Sequence, residues 1–243
     1  MKRSEVNSDI HLVLLPGLDG TGKLFDPFVK QFPDPTRITV IPYPMKKHIS
    51  FDMLGDYIVS LLPLDTPLVI LGESYSGPVA LRLATRDDIN IKALILVATF
   101  AKYPESLLKT VSRLLPLSFL FRLPIPDFII HHYCFGNTDN TVLAALLRES
   151  VRDNEPNVLA RRAREGAQVD VTESLSKITI PCMYIAPGDD KLVPGSAVKY
   201  LKAHLPNMDV VTIQGAHFIL QLQPKACYDS VNRFLLSSIN RRL

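Results

Sequence analysis

Cysteine is scarce in this chain of 243 residues: there are only three, Cys134, Cys182 and Cys227, far apart and odd in number. Such a set supplies no disulfide framework and points to a reduced compartment. No pair has the spacing of metal ligands, so no structural zinc is expected. Long apolar runs are missing as well; none approaches the roughly 20 residues that cross a bilayer. The opening MKRSEVNSDI has charge but no apolar stretch, and the short run after it is cut by Pro16-Gly17, which argues against a signal peptide. Charge of one sign is also in short supply. The formal net charge is +3, with no basic stripe interleaved with aromatics, so nucleic acid is not an expected partner. There is no internal repeat and no low-complexity linker. These absences leave a soluble, cytoplasmic α/β domain as the expectation, and a hydrophobic content of 47% is enough for a sizeable core.

Six short runs rich in Val, Ile and Leu read as buried parallel strands: Leu12–Leu15, Ile38–Tyr43, Leu68–Gly72, Ala93–Ala98, Met183–Ala186 and Val210–Ile213. Amphipathic stretches lie between most of them, at Leu24–Phe32, Phe51–Leu62, Gly77–Thr85, Gly195–His204 and Pro224–Ile239. Strand–helix alternation predicts a mostly parallel, six-stranded, doubly wound sheet. The alternation breaks across residues 102–176, where LLKTVSRLLPLSFLFRLPIPDFII and TVLAALLRESVRDNEPNVLARRAREGA read as helices split by prolines. This segment is expected to be a helical cap inserted into a core formed by residues 1–101 and 177–243.

Ligands of an open α/β sheet bind beyond the carboxyl ends of its strands, so the residues after each strand come first. After the first strand, Gly17-x-x-x-x-Gly22-Lys23 fits the start of a phosphate-binding loop, with Glu73 available as an acid after a later strand. That chemistry needs Ser or Thr next, to hold Mg²⁺, and the chain has Leu24. After PLVILG, the pattern Gly72-x-Ser74-x-Ser76 fits a sharp strand-to-helix turn that exposes a nucleophilic serine, with serine where the last glycine is usual. Small residues on either side let strand and helix approach closely, and Pro78 falls in the first helical turn, where its missing N–H does no harm. A serine needs a base. Of six histidines, His217 alone follows a small-residue turn beyond the last strand. An orienting carboxylate is available as Asp189 or Asp190, just after the fifth strand.

The order Ser74, Asp, His217 is that of α/β-hydrolases, and the resemblance to that superfamily runs through nearly the whole chain. LLPGLDGTG resembles an oxyanion-loop variant in which Pro16 stands where other members carry histidine. LGESYSGPVALRLA resembles the nucleophile elbow and its helix, PGDDKLVP the acid loop, and GAHFILQLQPKAC the histidine loop with the last helix. The Asp-x-x-Val-Pro fragment of that acid loop selects Asp190. The resemblance implies a member trimmed of the first two strands. It implies a cofactor-independent serine esterase or thioesterase: Ser74 as nucleophile, His217 as base, Asp190 as orienting acid, an acyl-enzyme intermediate, and the N–H groups of Leu18 and Tyr75 as the oxyanion hole. The same acyl-enzyme passing its acyl group to an alcohol would make an acyltransferase, since LPGLDGTG also resembles plant enzymes that form phytyl esters. The remaining alternatives are a non-catalytic binding module on the same fold and, from the opening loop, a nucleotide-binding protein.

The expected substrate is a small-molecule acyl ester, and the apolar, proline-punctuated cap favours medium or longer acyl chains. Arg148 and Arg152 lie one helical turn apart, and Arg161, Arg162 and Arg164 follow. This arrangement resembles the cap of pimeloyl-acyl-carrier-protein methyl ester esterases and implies an acidic carrier protein as partner, with Arg148, Arg152, Arg161 and Arg162 facing it. Charge balances over residues 102–176, with nine basic and nine acidic residues, whereas Arg148–Arg164 carries five basic against three.

Overall fold

The computed structural model describes residues 10–104 and 115–239; the helical expectation for residues 107–114 lies outside them. The strands are β1 (His11–Leu15), β2 (Ile38–Val40), β3 (Leu68–Glu73), β4 (Ile91–Val97), β5 (Cys182–Pro187) and β6 (Asp209–Ile213). All pair in parallel, in the order β2-β1-β3-β4-β5-β6. The helices are α1 (Asp26–Val29), α2 (Phe51–Val59), α3 (Gly77–Leu83), α4 (Leu117–Leu120), α5 (Asp127–Ile129), α6 (Thr141–Arg152), α7 (Pro156–Gln168), α8 (Gly195–His204), α9 (Ile219–Leu222) and α10 (Pro224–Ile239).

Strand β3 shows why the sheet is covered on both faces. Its side chains alternate between two apolar layers, and all six of its residues are buried. Leu68 and Ile70 pack with Leu54 and Ile58 of α2 and Val79 and Leu83 of α3. Val69 and Leu71 pack with Phe28 of α1 and Val231 and Phe234 of α10. Such a strand must read as a continuous apolar run, as Leu68–Leu71 does.

Two elements are shorter than the sequence suggests. β2 stops at Val40 instead of Tyr43: Ile41 still donates its N–H to Leu14 O at 3.1 Å, but Pro42 has no N–H with which to continue the ladder. The stretch Leu24–Phe32 divides into a 3₁₀ turn at Lys23–Phe25 and the single turn α1, and it closes tightly through Gln31 N–H to Phe28 O and Phe32 N–H to Val29 O ahead of Pro33.

The chain runs from β1 outward to β2, then crosses back to β3 on the opposite side of β1 and continues in that direction to β6. The loops leaving β1 and β3 therefore diverge, and a crevice opens between the carboxyl ends of these two neighbours. Between β4 and β5 lie α4 to α7. Val171 N–H donates to Ala101 O at 3.1 Å, and Lys102 and Asp170 form an antiparallel bridge, so the two ends of the inserted segment meet. Leu143, Ala144 and Leu147 of α6 pack with Leu24 and Phe135 and against Phe218, which brings the insertion over the crevice.

Candidate active site

Ser74 stands at the end of β3 with φ +50°, in the left-handed region that side chains rarely occupy. A backbone held there stores on the order of 1–3 kcal/mol of strain, and the surroundings fix it tightly. A Cβ added at Gly72 would lie 2.8 Å from both Ala80 Cβ and Ser76 O, and one at Gly77 would lie 1.9 Å from Thr99 Oγ1. The Thr99 hydroxyl donates to the Ser74 carbonyl, and Thr99 is itself clamped to Tyr184, whose OH accepts from Thr99 N–H and donates to Thr99 O, both at 2.8 Å. Ala98, just before it, also has positive φ (+48°). Neither Thr99 nor Tyr184 carries a sequence signal, because their roles depend on contacts between strands.

His217 Nε2 lies 3.0 Å from Ser74 Oγ, and His217 Nδ1 lies 2.9 and 3.0 Å from the two carboxylate oxygens of Asp190. A carboxylate only accepts, so Nδ1 carries the proton and Nε2 is left to accept from the serine hydroxyl. Both side chains are buried, at 6% and 7% exposure. Asp190 Oδ1 also accepts from the N–H groups of Leu192 and Val193, both at 2.9 Å, which locks the carboxylate towards the ring. Asp189 is exposed and its N–H bonds Gly215 O at 2.9 Å; of the two acids, Asp190 is the one at the imidazole.

The loop after β1 borders the serine: a Cβ on Gly17 would sit 3.8 Å from Ser74 Cβ. Leu18 is half-buried and Tyr75 buried. Ser76, where glycine is usual, is fully buried; its hydroxyl donates to Pro16 O and accepts from the Tyr43 hydroxyl. Lys23 does not face a phosphate cradle: it pairs with Glu149 at 2.5 Å and Asp153 at 2.7 Å on α6.

Glu73 precedes the serine and is buried at 7% exposure. Burial pushes its carboxyl up to about 7, offset in part by Gln221 Nε2, which donates to Glu73 Oε1 at 3.0 Å, and by nearby His217. Burial likewise pushes the thiols of Cys134, Cys182 and Cys227 up to about 12, so none is a thiolate nucleophile at neutral pH. All three are free. Among the described residues no group of three or more His, Cys, Asp or Glu side chains is placed to hold a metal, and no helix is long and apolar enough to cross a membrane.

The arginines of the insertion part ways. Arg152 and Arg161 are exposed, and Arg148 is half-buried, its guanidinium bonded to Asp127 and to Ile125 O. Arg162 corrects the expectation of a partner-facing residue, because it is 4% exposed and points inward. Its guanidinium donates to Pro44 O at 2.7 Å, Asp19 O at 2.9 Å, Asn154 Oδ1 at 3.1 Å and Leu18 O at 3.3 Å.

A protein-family model described as serine aminopeptidase, S33, matches residues 52–218. Among curated proteins, pimeloyl-[acyl-carrier protein] methyl ester esterase of Neisseria meningitidis serogroup C is 24% identical over 217 residues, covering 84% of each chain; the serogroup A protein is 23% identical, covering 84% of this chain and 69% of its own. Among solved structures, MenH from S. aureus superposes with a TM-score of 0.79 at 20% identity over 97% of both chains. The enol-lactonase from Burkholderia xenovorans LB400 gives 0.75 at 17% identity, over 94% of this chain and 92% of its own. Both share the α/β-hydrolase fold.

Proposed function

The chain belongs to the serine aminopeptidase S33 family of hydrolases, and from that premise we propose that it is a carboxylic ester hydrolase working through Ser74, His217 and Asp190. The observation that carries the reading is the unbroken relay from Asp190 through His217 to Ser74, with 2.9 Å and 3.0 Å contacts, on a strained elbow. His217 takes the proton of Ser74 as its oxygen attacks the acyl carbonyl. Asp190 steadies the imidazolium that forms. The tetrahedral oxyanion is held by the N–H groups of Leu18 and Tyr75, and His217 returns the proton to the departing alcohol. Water, activated by the same imidazole, then releases the acid.

The substrate we propose is an ester whose acyl group is carried by an acidic carrier protein, a methyl ester in the narrowest form. The curated relatives named above support it, as do the exposed Arg152 and Arg161, which stand free of the buried network around Arg162.

The test is hydrolysis of p-nitrophenyl esters from C2 to C16 beside amino-acid p-nitroanilides and acyl-carrier methyl esters, with fluorophosphonate labelling of the folded protein. Ester turnover and labelling that both vanish in Ser74→Ala, with kcat falling roughly 10³-fold or more, is the expected result. Turnover confined to the anilides would replace the esterase reading with a peptidase one. A folded wild-type protein that neither turns over nor labels would make it a binding module.

A further inference from the structure

In the reading just given, the oxyanion donor Leu18 belongs to a loop with no regular structure, and something must hold that loop still. We propose that Arg162, carried by helix α7, is a positioning residue that sets the oxyanion loop through its own hydrogen bonds to that loop.

The geometry runs through both sides of the loop. From above, the Arg162 guanidinium donates to the carbonyls of Leu18 and Asp19 at 3.3 and 2.9 Å, and Asn154 Nδ2, at the turn joining α6 to α7, donates to the same Asp19 carbonyl at 2.9 Å. From below, the Ser76 hydroxyl of the elbow donates to the Pro16 carbonyl. Between them, Gly17 O accepts from Gly20 N–H at 3.1 Å. Peptide units are planar and trans, so turning the Gly17 carbonyl one way aims the Leu18 N–H the other way. Fixing the carbonyls of residues 16 to 19 therefore fixes the direction of that one N–H.

The two sides are joined. Tyr43 donates its hydroxyl to Ser76 and lies under Arg162, whose guanidinium carbon is 5.6 Å from the ring centroid. Tyr43 N–H also bonds Gly20 O at 2.7 Å. Gly20, at φ +69°, lies so close to the arginine that an added Cβ would meet Arg162 Nη1 at 2.4 Å. Nη1 faces three acceptors and Nη2 a fourth, a planar arrangement of donors that a lysine ammonium cannot duplicate. An arginine 4% exposed whose guanidinium faces carbonyls and an amide oxygen is well suited to hold backbone; it is not disposed to meet a partner protein.

The experiment compares wild type, Arg162→Met, Arg162→Lys and Leu159→Ala on the best p-nitrophenyl ester, with inhibition by an alkyl trifluoromethyl ketone that forms an oxyanion on the serine. Leu159 is a buried residue of the same helix and takes no part in these hydrogen bonds, so its truncation removes packing and leaves the guanidinium contacts in place. Arg162→Met is expected to lower kcat roughly 10–100-fold with KM within about threefold, since misplacing a single donor costs on that order. Affinity for the ketone falls by the same factor, Arg162→Lys recovers only part of it, and Leu159→Ala keeps kcat near wild type. If Arg162→Met does not fold, the Arg162→Lys fall in kcat and ketone affinity carries the test. A folded Arg162→Met with wild-type kcat, a rise in KM alone, or an equal loss in Leu159→Ala would overturn the proposal and leave the esterase reading standing. A wild-type protein with no ester turnover and no fluorophosphonate labelling would overturn both.

Discussion

Replacing Glu73 by glutamine should remove most of a pH dependence from the folding stability. Glu73 is enclosed beside the serine, and its carboxyl holds a proton up to about pH 7, whereas the unfolded chain releases it near 4.5. Between those values the folded state binds more protons than the unfolded one, so stability falls as pH rises through the window and levels off above it. A shift of that size amounts to roughly 2 kcal/mol lost between about pH 5 and pH 8. The amide introduced by Glu73→Gln would keep an oxygen for Gln221 Nε2, now 3.0 Å from Glu73 Oε1, and has nothing to ionise. Urea melts of both proteins at the two pH values give a double difference in which titrating groups not coupled to Glu73 cancel. Glu73→Gln should lose roughly 2 kcal/mol less than wild type over that interval. Parallel stability curves would show that Glu73 is ionised throughout, and the account of its burial would fall.

Two glycines should respond in opposite directions to the same added methyl. Gly77→Ala drives a Cβ into Thr99, 1.9 Å away, and should lower stability by roughly 3 kcal/mol, seen as a melting temperature roughly 6–12 °C lower. Gly55→Ala in α2, with nothing within 4 Å of the new Cβ, should raise stability by up to about 1 kcal/mol. In Asp190→Asn the carboxylate that accepts from His217 Nδ1 becomes an amide, so kcat should fall by roughly 10⁴-fold with little change in melting temperature, measured on the ester that wild type turns over best.

The sheet was legible because doubly buried strands have little choice of residue: Leu68–Leu71 is apolar at every position since both of its faces are covered. The candidate site was legible where each group lies at or just beyond a strand's end, as Ser74, Asp190 and His217 do, and where the turn needs small residues, as at Gly72 and Gly77. What stayed hidden depends on which distant segments touch. Arg162 sits in a run of charged residues on α7, and a one-dimensional pattern cannot distinguish it from the exposed Arg161 beside it. Lys23 fits one position of a phosphate-loop pattern whose next residue, Leu24, does not, and its actual partners, Glu149 and Asp153, lie more than a hundred residues on. Tyr43 closes an apolar run that the sequence pattern assigns to one strand, but Pro42 ends the ladder and leaves the Tyr43 side chain to serve the elbow.

Helices α4 to α7 lie between β4 and β5, so the chain delivers the residues of the candidate site in instalments. A ribosome makes the serine first, then the arginine that grips the loop, and the imidazole after both. Every product of translation that stops before His217 holds a hydroxyl without that base. The relay from acid through base to nucleophile is therefore completed only once β6 and the turn beyond it have been made.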